Sequence, residues 1–272
     1  MVYEHPTRAE IMKVAILCGG RGTRLREVSD LVPKPMVLVG DKPILWHIMK
    51  TYSSHGFHEF VLLLGYKGEV IREFFLNFSL HTTNVTIDLN RTDPGRLTFH
   101  GPPNEPWKVT LVDTGESAMT GARVRNARQF LNDENTFMVT YGDGVGDVDI
   151  TRLLEFHHSH GRIASVTVVR PPGRFGELQI KESVVESFIE KPQVSGGFIN
   201  GGFFVFNRAL FDRYLPDGDG LVLEREPLEQ LIKEQQLMAF AHEGFWQPMD
   251  TPREHQLLND VWASGKAPWK RW

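Results

Sequence analysis

Short blocks of nearly all-apolar positions alternate along this chain with segments whose apolar residues recur at helical spacing. Residues 13–18 form the first block and run straight into Gly19 and Gly20, so they read as a buried strand entering a tight loop. Pro43 then opens a segment that carries Ile44, Leu45, Ile48, Met49 and Tyr52 on one helical face, with Gly56 as a stop. Residues 60–64 predict a second buried strand and 67–78 a helix, followed by a polar, Pro- and Gly-rich stretch at 93–106. A helix over 117–131 leads to a strand over 136–141 that ends at Gly142, Asp143 and Gly144. Beyond Arg162 the pattern turns strand-rich, at 164–169, 183–189 and 198–206, with helices over 223–237 and 254–263.

Strands and helices alternating at these lengths predict an α/β fold with a mainly parallel sheet, to which the later strands add as a mixed extension. Ligands in such folds sit beyond the carboxyl ends of the strands. The loops at Gly19–Gly20 and at Gly142–Asp143 both fall at such ends and can share one site. Residues 12–272 read as one domain, since no repeat, low-complexity tract or linker interrupts them, and 1–11 as a candidate disordered extension.

Composition narrows the class of partner. A chain of 272 residues with 41% hydrophobic and 24% charged positions can bury a sizeable core without a metal or disulfide scaffold. Its formal net charge of -4 offers no global attraction for nucleic acid or an anionic membrane, so phosphate binding must come from local basic residues. The single cysteine, Cys18, lies in an apolar block and reads as a core residue. No apolar run approaches a membrane span and 1–11 lacks the apolar centre of a signal peptide, which together suggest a cytoplasmic protein.

The densest chemistry lies between Gly19 and Pro35. Gly19, Gly20 and Gly22 let the backbone approach a ligand and aim N–H groups at phosphate oxygens, while Arg24 and Lys34 supply positive charge and Pro33 and Pro35 restrain the backbone around the lysine. The loop is not a P-loop, which needs Gly-Lys-Ser/Thr after four residues, and it is not a dinucleotide fingerprint, whose third glycine is replaced by Leu25. Asp143 ends an apolar strand between two glycines and can reach a metal; Asp250 is a second candidate, competing with a role as helix N-cap ahead of Pro252. Glu190, Lys191, Asn200 and Gly201 suit a phosphorylated sugar, with a surface turn and a bulge as the plainer readings. The eleven histidines show no zinc pattern, and His157, His158 and His160 read as a solvated helix face.

At Gly-Gly-x-Gly-Thr-Arg-Leu (19–25) and Pro-Lys-Pro (33–35), the chain resembles the sugar-nucleotide pyrophosphorylases, nucleotidyltransferases with a Rossmann-like α/β core flanked by helices. Segments 42–50, 109–115, 119–121, 141–144, 171–176, 199–204 and 244–250 extend the resemblance toward the subgroup that uses CTP and glucose 1-phosphate. The resemblance implies that Gly19, Gly20, Gly22, Thr23, Arg24 and Lys34, with Leu17 and Gly142 beside them, hold the nucleotide phosphates. It further implies that Thr120, Gly121 and Arg123 meet the base and its neighbours, that Glu190, Lys191, Asn200 and Gly201 meet the sugar phosphate, and that Asp143 and Asp250 hold Mg²⁺. Arg24, Lys34 and Asp143 are the implied catalytic residues, CDP-glucose and pyrophosphate the implied products. A homo-oligomer, with a hexamer among the assemblies, and a pathway to surface polysaccharide are implied as well. Cys18 stands where alanine is usual, and Ala118 and Ala122 where serine or glycine is expected; these positions border the nucleotide site and bear on base choice, leaving UTP or dTTP, another sugar 1-phosphate, or an idle nucleotide-binding module as alternatives.

Overall fold

Strand β1 (Lys13–Leu17) is apolar on both faces because both faces are covered: Val14 and Ile16 pack into one core layer, Ala15 and Leu17 into the other. The computed structural model describes residues 12–22, 32–102, 105–131, 135–171, 177–181, 184–189 and 197–272. Thr23, Arg24, Glu190, Lys191 and residues 1–11 lie outside the described residues.

A short antiparallel pair, β2 (Leu38–Val39) with β3 (Lys42–Pro43), feeds helix α1 (Ile44–Ser54), which buries the face its spacing predicts. Then come β4 (Glu59–Leu64), α2 (Gly68–Leu76), α3 (Phe78–Thr82), an antiparallel hairpin of β5 (Asn84–Ile87) and β6 (Leu97–His100), and β7 (Lys108–Asp113). Helices α4 (Thr120–Asn126) and α5 (Arg128–Leu131) lead to β8 (Thr136–Tyr141), β9 (Gly144–Gly146), α6 (Ile150–His160) and β10 (Ala164–Val169). A hairpin of β11 (Glu177–Lys181) and β12 (Val184–Ile189) precedes β13 (Ile199–Asn207), α7 (Ala209–Arg213), α8 (Glu226–Lys233), β14 (Leu237–His242), β15 (Trp246–Pro248) and α9 (Pro252–Ala263).

Seven strands form the main sheet in the order β14-β10-β13-β8-β1-β4-β7. Every pairing in it is parallel except those of β13, which runs antiparallel to both β8 and β10. The carboxyl ends of β1, β4, β7 and β8 therefore open on the same edge as the start of β13, which brings Gly19, Gly142 and Asn200 toward one crevice. One core layer packs α1, α6 and α9 against the sheet, the other α4, α7 and α8. This is the mainly parallel mixed sheet flanked by helices that the apolar pattern predicts.

Three stretches differ from the sequence pattern. The polar stretch over 93–106 contains β6, whose pairing with β5 makes an exposed hairpin with too little apolar alternation to stand out. The helix expected over 223–237 is only Glu226–Lys233, and the chain turns into the edge strand β14, whose Leu, Met and Ala content carries no strand signature. The expected helix over 117–131 is split at Ala127 into α4 and α5.

Candidate active site

Asp143 lies between β8 and β9, and Asp250 between β15 and α9. β9 and β15 pair antiparallel with Gly144 opposite Pro248, and the Met249 N–H donates to the Asp143 carbonyl at 2.8 Å. This two-stranded ribbon carries two acids distant in sequence to one place. The N-cap of α9 is Thr251: its Oγ1 accepts from the Glu254 N–H at 3.3 Å, while Glu254 Oε2 accepts from the N–H groups of Asp250 at 2.8 Å and Thr251 at 2.9 Å. The competing reading of Asp250 as the helix N-cap is thereby excluded. Thr251 caps the helix, and the Asp250 carboxylate is left to face the crevice.

Lys34 opens a 3₁₀ turn, Lys34–Met36, between Pro33 and Pro35. Its Nζ donates to Asp143 Oδ2 at 2.6 Å and to Asp250 Oδ1 at 2.5 Å. Burial alone would lower the Lys34 pKa, but the Asp143 and Asp250 carboxylates outweigh it and hold the ammonium above its ordinary value. Gly22 packs over the lysine stem with φ +59°, where an added side-chain carbon would sit 3.1 Å from Lys34 Cβ.

These groups line a cavity of about 640 Å³, a size that takes a nucleotide-scale ligand. Of the expected site residues, Leu17, Gly19, Gly20, Gly22, Lys34, Thr120, Arg123, Gly142, Asp143 and Asp250 border it. Gly121, Asn200 and Gly201 are not among the residues that line it. Gly121 lies in the first turn of α4 against 221–223, where an added side-chain carbon would meet Leu221 Cγ at 2.9 Å; the Gly201 carbonyl accepts from Trp246 Nε1 at 2.8 Å.

A divalent cation fits this donor set. Among the described residues no group of three or more His, Cys, Asp or Glu side chains is placed to hold a metal. Two carboxylates that already share one cationic nitrogen, each about a third exposed to the cavity, suit an ion such as Mg²⁺, which takes one or two carboxylates and completes its shell with water and phosphate oxygens.

The sequence profile described as nucleotidyl transferase matches residues 13–251. The chain belongs to that family. It is 51% identical over 261 residues to the glucose-1-phosphate cytidylyltransferase of Salmonella typhimurium, covering 96% of this chain and 100% of the relative. It is 31% identical to the mannose-1-phosphate guanylyltransferase 1 of Arabidopsis thaliana, over 90% of this chain and 63% of that protein. In three dimensions it resembles HddC from Yersinia pseudotuberculosis, solved with GMP-PN, at 25% identity and a TM-score of 0.65, with 92% of this chain and 99% of that chain covered.

Within this nucleotidyl transferase, Arg123 sits in the wall with both terminal nitrogens committed to the protein. Its Nη1 donates to the Leu64 carbonyl at 3.0 Å, Thr114 Oγ1 at 2.8 Å and the Gly115 carbonyl at 2.8 Å; its Nη2 donates to the carbonyls of Gly19 at 3.0 Å and Glu116 at 3.1 Å. The side chain thus clamps the loops that follow β1, β4 and β7. Gly19 and Gly65 both have to be glycine for this clamp, since an added carbon would lie 2.2 Å and 2.3 Å from the guanidinium. Cys18 is buried beside it, and burial pushes its thiol pKa up, as a core residue requires.

Two site features escape the sequence pattern. Glu224 accepts from Thr120 Oγ1 at 2.6 Å and from the Tyr141 hydroxyl, yet in sequence it is one acid in the charged run 224–226. Gly65 follows β4 as an ordinary turn glycine would. The histidines also differ: His157 is buried and hydrogen-bonded to Ser165 Oγ at 2.9 Å, so it belongs to the core rather than to a solvated face.

Proposed function

We propose that this chain transfers a cytidylyl group from CTP to α-D-glucose 1-phosphate, giving CDP-glucose and pyrophosphate. The observation that carries the substrate pair is the 51% identity to the Salmonella typhimurium glucose-1-phosphate cytidylyltransferase over the whole of that protein. The geometry supports the reaction type. A sugar phosphate is already ionised at neutral pH, so its oxygen attacks the α-phosphorus of CTP without a general base, and the α–β phosphoanhydride bond breaks as pyrophosphate leaves with the electron pair. Nothing in the step needs a histidine.

The protein's part is positioning and charge neutralisation. Gly19, Gly20 and Gly22 offer backbone to the triphosphate, with Leu17 and Gly142 beside them. Lys34 offsets phosphate charge, and Thr120, Gly121 and Arg123 shape the nucleotide pocket. Asp143 and Asp250 would hold Mg²⁺, which supplies Lewis-acid stabilisation of the phosphate oxygens when bound. Thr23 and Arg24 join the triphosphate loop, and Glu190, Lys191, Asn200 and Gly201 receive the sugar phosphate, on the strength of the sequence resemblance. The substrates are small, with no role for nucleic acid; no helix among the described residues is long and apolar enough to cross a membrane. A single domain over 12–272, a homo-oligomer such as a hexamer, and a cytoplasmic setting complete the proposal.

The test is pyrophosphate release across CTP, UTP, dTTP, ATP and GTP, each paired with glucose, galactose and mannose 1-phosphates. CTP with glucose 1-phosphate is expected to stand out. A different winning pair would replace the substrate assignment, and silence across the grid would favour an idle nucleotide-binding module.

A further inference from the structure

Glu224 occupies an unusual place for an acid in a phosphate-binding protein: it reaches two side chains that border the cavity. One of its oxygens accepts from Thr120 Oγ1 at 2.6 Å, and the other accepts from the Tyr141 hydroxyl. A hydroxyl has one proton and two acceptor positions. Both protons are spent on Glu224. The Leu223 N–H donates to Thr120 Oγ1 at 2.9 Å, and Asn200 Nδ2 donates to the Tyr141 hydroxyl oxygen at 3.2 Å. Asn200 is itself oriented, because its Oδ1 accepts from the Gly202 N–H at 2.8 Å. Among the described residues, each hydroxyl oxygen is left with one acceptor position and no proton to give. The Tyr141 ring is seated against Gly202, where φ is +85° and an added side-chain carbon would lie 2.4 Å from the ring.

We propose that Glu224 is a positioning residue that fixes the hydroxyls of Thr120 and Tyr141 as acceptors, so that this corner of the cavity selects an N–H or O–H donor of the substrate. The proposal rests on the functional reading above and deepens it. The ribose hydroxyls of CTP carry that chemistry too but are shared with UTP; the donors that differ between competing substrates are a hexose hydroxyl and the exocyclic amine of cytosine. Uracil presents a carbonyl oxygen in place of the amine. Two acceptors facing each other repel, which gives discrimination by an unpaired polar group rather than by size.

Glu224→Gln tests the arrangement, because the amide must donate from one end and forces one hydroxyl to turn its proton into the cavity. The readouts are KM and kcat for each substrate, with monodeoxy analogues of glucose 1-phosphate in one arm and UTP against CTP in the other. If a sugar hydroxyl is the donor, KM for glucose 1-phosphate rises about tenfold with KM for CTP nearly unchanged, and discrimination against one monodeoxy analogue collapses. If the base amine is the donor, the preference for CTP over UTP falls about tenfold instead. Tyr141→Phe and Thr120→Val remove the hydroxyls singly, and at least one of them should reproduce the same signature. Unchanged KM values and preferences in all three variants overturn the proposal, as does a proportional loss for every substrate with a lowered melting temperature. Should the wild type not turn over this pair, the functional reading fails by itself, and calorimetric titration of CTP and glucose 1-phosphate still reads the effect of Glu224→Gln.

Discussion

Lys34 and Asp250, 216 positions apart in sequence, meet at 2.5 Å, and Asp143 takes the same ammonium at 2.6 Å. The lysine holds the place of a cation between two acids. Lys34→Met should leave those acids facing each other and destabilise the metal-free protein. Breaking such a pair costs about 1–3 kcal/mol here, less than a fully buried pair because both carboxylates are about a third exposed. Added Mg²⁺ should then raise the melting temperature of the variant more than that of the wild type. Equal Mg²⁺ shifts for the two proteins would remove the shared-site interpretation.

The Arg123 clamp makes a second expectation. Gly65→Ala places a methyl 2.3 Å from the guanidinium, so the side chain must give up some of its carbonyl partners. Overpacking of this kind costs ~1–3 kcal/mol. Urea unfolding should show the loss, and CTP affinity should fall with it because the clamp holds the loop bearing Gly19. A stable variant with wild-type CTP binding would show that the clamp is dispensable.

Two buried histidines set an acid limit on stability. Burial holds both His47 and His157 down to about 4, from an ordinary value of 6.5. The unfolded chain therefore binds more protons between those values, and stability present above pH 6.5 is lost as pH falls toward 4. Each contributes on the order of 3 kcal/mol across that window. Urea midpoints measured from pH 7 to 4 should fall, and less steeply in His157→Gln. A parallel decline in the variant would place the acid sensitivity elsewhere.

Much of this was legible in sequence because its signals are local. The buried strands β1, β4 and β8 announce themselves as apolar blocks, and the glycine loop with Lys34 between prolines marks one wall of the cavity. Asp143 stands out at a strand end. Asp250 was harder to place, because aspartate before Thr251 and Pro252 is equally a helix cap; the Thr251–Glu254 capping box that resolves it depends on side-chain geometry. Glu224 carries no local signal at all, since its partners Thr120 and Tyr141 are 104 and 83 positions away. His157 looked polar and proved buried because Ser165, on the neighbouring strand, satisfies it. The hairpin of β5 and β6 was hidden for the opposite reason: it buries so little that no alternation is imposed on it.

In the proposed reaction, Asp143 and Asp250 together would carry the cation on which cytidylyl transfer depends. The most direct measurement is pyrophosphate release from CTP and glucose 1-phosphate by the wild type, Asp143→Asn and Asp250→Asn, with Mg²⁺ and with EDTA. The expected result is that EDTA abolishes release by the wild type and that each variant loses ~10²-fold or more in kcat, the scale seen when a group stabilising transition-state charge is removed, with circular dichroism unchanged. Near-wild-type turnover by either folded variant, or release that persists in EDTA, would contradict it.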